Sequence, residues 1–125
     1  MVLVNGLQSD LLNVHDRGLA YGDGVFRTAR VSRGRALCWL HHYQKLQADC
    51  QVLGLTCPNY FVLSKELNQI AAAMPECVLK IIVTRGPGPR GYRVTAGMQP
   101  TRIIMAGPLP EYPPSYYQQG VRLRV

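Results

Sequence analysis

The sequence predicts an α+β domain, a mostly antiparallel sheet packed by two helices. Three observations carry that expectation. Short apolar runs are separated by turn signals such as Asn5-Gly6, the central stretch 39–74 switches to three- and four-residue apolar spacing, and apolar runs resume at 78–84 and 101–106.

Taken in order, Val2 to Val4 is a short apolar strand, and Asn5-Gly6 is a strong hairpin dipeptide. Residues 7–14 are expected to resume as a second strand. DRGLAYGDG, residues 16–24, holds three glycines and three charges in nine residues and fits no periodicity, so it is expected to be a structured loop. Val25 to Val31 reads as a strand, turned by residues 32–35 into another at 36–38. From Trp39 the period changes: Tyr43, Leu46, Cys50 and Leu53 recur at helical steps until Gly54. Pro58 can open a second helix at its first turn, with Leu63, Leu67, Ile70 and Met74 on one face and Pro75 as the stop. Val78–Thr84 and Thr101–Ala106 are two more strands, separated by a glycine- and proline-rich loop at 85–97. Residues 107–119 hold four prolines and three tyrosines and read as an ordered linker. GVRLRV, residues 120–125, alternates like the start of a strand, which points to a missing partner half.

At 125 residues and 13.9 kDa the chain has room for one core. It contains no run of about 18 apolar residues and no basic-then-apolar leader, so the expectation is a cytoplasmic chain with no membrane partner. The formal charge is +7, and eleven of the fourteen cations are arginines. No five lie in a row and the tyrosines cluster elsewhere, so no nucleic-acid stripe is expected. Arginine's planar fork also suits carboxylates and phosphates. Cys38, Cys50, Cys57 and Cys77 form no CxxC and read as buried thiols. His15, His41 and His42 show no metal-ligand spacing, so no metal is expected.

The two glycine-rich loops match neither a phosphate loop nor a dinucleotide fingerprint, and there is no GxSxG. Arg85 and Arg90 flank Gly-Pro-Gly-Pro, where a stiff loop can hold a guanidinium for a carboxylate; a salt bridge to Asp16 or Asp23 is the alternative. In VLKIIV, strand parity sets Lys80 with Val78 and Ile82 on the wetter face, opposite Leu79, Ile81 and Val83. Lys45 sits one step before Leu46, where it either reaches an anion or is simply solvated.

DRGLAYGDGVFRTARV (16–31), HYQKLQADC (42–50) and LKIIVTRGPGPRGY (79–92) resemble the amino-terminal domain of the fold-type IV pyridoxal-phosphate enzymes, which include branched-chain and D-amino-acid aminotransferases. Among the members, GDGVFRTARV and TRGPGPRGY are most similar to the aminodeoxychorismate lyases. The resemblance implies an amino-terminal domain at 1–107, an interdomain linker at 108–119 and the first strand of a missing carboxyl-terminal domain at 120–125. It implies a homodimer that binds pyridoxal 5'-phosphate and converts 4-amino-4-deoxychorismate to 4-aminobenzoate and pyruvate. An aminotransferase of the same fold, or a non-catalytic binding or dimerisation module, are the alternatives. The lysine that holds the cofactor belongs to the other domain in this family, so no catalytic residue is assigned here and the chain alone is expected to be inactive. Lys45 stands where the family's H-x-x-R-L motif places an arginine for the cofactor phosphate. Phe26 falls where the family places a side chain beside cofactor and substrate, and Arg90 and Tyr92 match loop positions that in the D-amino-acid aminotransferases help hold the substrate carboxylate.

Overall fold

The computed structural model describes residues 1–124. Ten elements follow in chain order: β1 (Val2–Val4), β2 (Leu7–Gln8), α1 (Arg17–Tyr21), β3 (Gly24–Ser32), β4 (Arg35–Ala36), α2 (Trp39–Leu53), α3 (Tyr60–Ala73), β5 (Cys77–Thr84), β6 (Thr101–Gly107) and α4 (Pro114–Gln119). The strands form one sheet in the order β2-β1-β6-β5-β3-β4, and every neighbouring pair is antiparallel. This is the α+β architecture expected of the smaller domain of a fold-type IV enzyme.

Local chemistry explains the turns. Asn5 and Gly6 both adopt positive φ, 51° and 85°, the pair of left-handed residues that a two-residue hairpin of matching twist requires. The predicted second strand over 7–14 ends at Gln8, because β1 is only three residues long and offers nothing further to pair with. The strand expected at 36–38 is Arg35–Ala36 instead; Cys38 turns left-handed, at φ 53°, and starts α2. Pro58 lies before α3 rather than inside it. Asn59 is the cap, its side chain accepting the Phe61 amide at 2.8 Å. Replacing it, Asn59→Ala, is expected to lower stability by about 1 kcal/mol in thermal or urea unfolding, since one helix-end amide loses its acceptor.

The core lies between α2, α3 and one face of the sheet. Leu46 and Cys50 of α2 and Leu63, Leu67 and Ile70 of α3 meet Ala29, Val31, Leu79, Ile81, Val83 and Ile104, all fully or almost fully buried. Each buried leucine or isoleucine contributes about 1.5–3 kcal/mol. Leu53, expected on this stripe, is exposed because it falls in the last turn before Gly54. Of the cysteines, Cys50 and Cys77 are buried, Cys57 is half-buried, and Cys38 is exposed at its turn rather than buried at a strand end.

The other face of the sheet carries no helix of the core layer. The register sets Phe26, Thr28 and Arg30 of β3 beside Ile82, Lys80 and Val78 of β5, and these beside Ile103, Met105 and Gly107 of β6. Leu109, Pro110, Tyr112 and Tyr117 close a cleft over Thr28, Arg30 and Val78. The segment read as a linker holds α4, favoured by a proline in its first turn. Residues 120–124 carry no strand ladder, and Val125 of the expected strand lies outside the described residues.

Candidate functional site

The two glycine-rich loops form one unit. Within 16–24, expected to be irregular, Asp16 caps α1: its buried carboxylate accepts the Gly18 amide at 2.8 Å and the Thr84 hydroxyl at 3.0 Å. Gly18 is confined by the same contact, since a Cβ there would stand 2.3 Å from Thr84 Cγ2. Arg17, also buried, reaches across to the second loop. Its Nε donates to Asp23 at 2.9 Å, while Nη1 and Nη2 donate to the carbonyls of Gly91 and Tyr92 at 2.8 and 3.1 Å. The guanidinium lies 4.7 Å from the centre of the Tyr21 ring, and the Tyr21 hydroxyl accepts the Gly91 amide at 2.8 Å.

Asp23 is the hub of this unit. Arg85 grips it with Nε at 2.8 Å and Nη2 at 3.1 Å, and donates further to the carbonyls of Leu53 and Gly54. The Arg85 hydrogen bonds, reinforced by Arg17, hold the Asp23 carboxyl below its ordinary value against the opposing effect of burial. Of the two readings of Arg85, the structure supports the ion pair: its donors are spent on the fold. Arg90 is exposed and makes no hydrogen bond or ion pair among the described residues. Tyr92 is 86% exposed, yet its carbonyl is fixed by Arg17 and its ring stands 5.4 Å from that of Tyr21. The scaffold beneath both side chains is therefore rigid while the side chains face outward.

Phe26 is 57% exposed on the helix-free face, where the Lys80 ammonium lies 4.8 Å from its ring centre. Parity placed Lys80 correctly on the wetter face, but its pairing with Phe26 follows from the β3–β5 register. Lys45 leaves α2 on the other side. It pairs with Asp49, one turn on, and Asp49 also pairs with Arg27 of β3. The four residues expected to form a site thus fall in three places: Phe26 with Lys80, Lys45 with Arg27 and Asp49, and Arg90 with Tyr92 on the pinned loop. The first two of these places share one border of the sheet. β4 pairs only with Val31 and Ser32, so from Gly24 to Arg30 the ladder partner of β3 is β5 alone, and Phe26 and Arg27 leave opposite faces of that stretch.

The donor set around Asp49 fits a phosphate group. Two cations meet a single carboxylate, leaving one positive charge in excess, and the buried Arg27 Nε has no hydrogen-bond partner among the described residues. An orphaned buried donor costs about 1–3 kcal/mol, which an incoming anion can recover. Three thiols are held protonated: burial raises Cys57 and Cys77, and burial, then the neighbouring Cys57, pushes Cys50 up to about 12. Among the described residues no helix is long and apolar enough to cross a membrane, and no cluster of three or more His, Cys, Asp or Glu side chains is placed to hold a metal ion.

Comparison with known proteins agrees with this architecture. A family model described as "Amino-transferase class IV" matches residues 24–125. The aminodeoxychorismate lyase of Vibrio harveyi is 28% identical over 130 aligned positions, covering 100% of this chain and 46% of that protein. The crystal structure of 4-amino-4-deoxychorismate lyase from Pseudomonas aeruginosa superposes with a TM-score of 0.91 at 41% identity, covering 98% of this chain and 45% of that one. A PLP-bound hypothetical aminotransferase from Mycobacterium tuberculosis superposes with a TM-score of 0.71 at 28% identity, covering 88% and 40%. The chain spans about half the length of these relatives.

Proposed function

The chain belongs to the class IV amino-transferase family, and we propose that it forms the amino-terminal part of a pyridoxal-phosphate-dependent lyase that turns 4-amino-4-deoxychorismate into 4-aminobenzoate and pyruvate. The observation that carries this reading is the pinned loop pair. Arg17, Asp23 and Arg85 fix the backbone under Arg90 and Tyr92, so an arginine and a phenol are presented on a rigid frame at the carboxyl end of β5. The substrate carries two carboxylates, and a fixed guanidinium suits one of them. Phe26 supplies an apolar wall, and Lys80 beside it supplies a second cation for an acidic substrate. Lys45 takes the phosphate of the cofactor. When bound, pyridoxal phosphate supplies the electron sink for removing a proton beside the amine; this chain's residues bind, orient and shield. The similarity to the Pseudomonas lyase supports this choice within the family.

In the same reading, residues 1–107 are the smaller domain, 108–119 the linker and 120–125 the first strand of the other domain, in a cytoplasmic homodimer. The group that holds the cofactor covalently lies outside this chain. The 125 residues alone are therefore expected to release no pyruvate from 4-amino-4-deoxychorismate above a denatured control, whereas the protein carrying both domains releases pyruvate and 4-aminobenzoate. Amino-group exchange with a 2-oxo acid in place of pyruvate release would assign it to the aminotransferases, a reading favoured by the likeness to the mycobacterial aminotransferase.

A further inference from the structure

Position 45 is a lysine, and lysine offers a phosphate a point charge rather than a planar fork. The structure brings a fork to it from another element. Arg27 follows Phe26 on β3, and strand alternation turns its side chain toward α2, where Nη2 meets Asp49 Oδ2 while the Lys45 ammonium meets Oδ1 of the same carboxylate. Strand and helix thus deliver two cations to within one carboxylate's width of each other. We propose that Arg27 and Lys45 together form the phosphate subsite, and that Asp49 is the counter-ion that occupies the place between the two cations until an anion displaces it.

Three features of the structure support this. The Arg27 side chain is only about a quarter exposed, at 24%, so it is packed in one direction rather than spread through solvent. Its Nε is buried without a partner among the described residues, so the Asp49 pairing leaves donor capacity unused. Lys45, at 63% exposed, stays open to an anion arriving from solvent. A tetrahedral dianion can accept from both cations at once, whereas Asp49 offers a single negative charge; exchanging one for the other strengthens both contacts.

The inference rests on the phosphate role given to Lys45 above, and the test separates the two. Equilibrium dialysis of the protein against pyridoxamine 5'-phosphate and against pyridoxamine gives a ratio of dissociation constants that isolates the phosphate contribution; neither probe carries an aldehyde to react with lysines. The wild-type ratio is expected to favour the phosphorylated probe, with Lys45→Gln and Arg27→Gln each lowering the ratio about tenfold. Asp49→Asn removes the competing charge and is expected to raise it several-fold. An unchanged ratio in Arg27→Gln, alongside a lowered one in Lys45→Gln, overturns the role of Arg27 and leaves that of Lys45 standing. No preference for the phosphorylated probe in the wild type overturns both. If Arg27→Gln fails to fold, the Asp49→Asn arm decides alone, and an unchanged or lowered ratio there counts against the proposal.

Discussion

Asp23→Ala is expected to destabilise the protein by about 3–5 kcal/mol at neutral pH, read from the urea midpoint. The carboxylate neutralises Arg17 and Arg85, whose side chains are 4% and 12% exposed, so its removal leaves two nearly buried guanidiniums without a counter-charge. Both loops then lose their shared anchor. The same group sets an acid limit. Because its folded-state value is held below the ordinary 3.8, Asp23 contributes its full stabilisation above that pH and loses it as the pH falls further, through the folded value. The wild type should therefore lose stability below about pH 4, and Asp23→Ala should show a flatter acid limb. Equal acid limbs in the two proteins would assign the acid sensitivity to another carboxylate.

The other large effect is expected at Gly86. Its φ is +85°, a conformation that costs a side-chain-bearing residue about 1–2 kcal/mol by itself. A Cβ there would also fall 1.8 Å from the Gln99 carbonyl oxygen, a backbone atom at the entrance to β6 that cannot step aside as a flexible side chain would. Gly86→Ala should cost about 4 kcal/mol in all, at the upper end for a single substitution. The damage should spread, because the Gly86 carbonyl accepts the Arg17 amide at 3.0 Å and its own amide donates to Thr84 Oγ1 at 3.0 Å. Moving Gly86 moves α1. A variant with an unaltered unfolding midpoint would show that residues 97–100 can withdraw freely.

These two positions mark where sequence reading stops. Strands and long helices were legible because an apolar period identifies them: Leu79, Ile81 and Val83 sit on one face of β5, and Leu63, Leu67 and Ile70 on one face of α3. Helix α1 was not legible. Five residues with a glycine among them show no period, and what stabilises them is tertiary: the Asp16 cap held by Thr84, and Arg17 bonded to residues 74 and 75 positions away. Arg85 and Asp23 could be suggested as partners from sequence, but only the fold could choose between that pairing and a free guanidinium. The site divides in the same way. Phe26, Arg90 and Tyr92 were proposed from their resemblance to family motifs, and the Lys45–Asp49 pair follows from four-residue helical spacing. Lys80 beside Phe26 and Arg27 beside Lys45 depend on strand register and on which face α2 covers, neither of which a linear pattern specifies.

The strand order also constrains biosynthesis. β1 lies between β2 and β6, with Leu3 opposite Ile104. Val2–Val4 are translated about a hundred residues before their partner strand, a lead of roughly 5–20 s at 5–20 residues per second. Until then the amino-terminal hairpin has no seat. The nascent domain can assemble β3, β4, α2, α3 and β5 around Leu79 and Ile81 while Val2–Val4 wait unattached, and the sheet is complete only when residues 101–107 clear the ribosome.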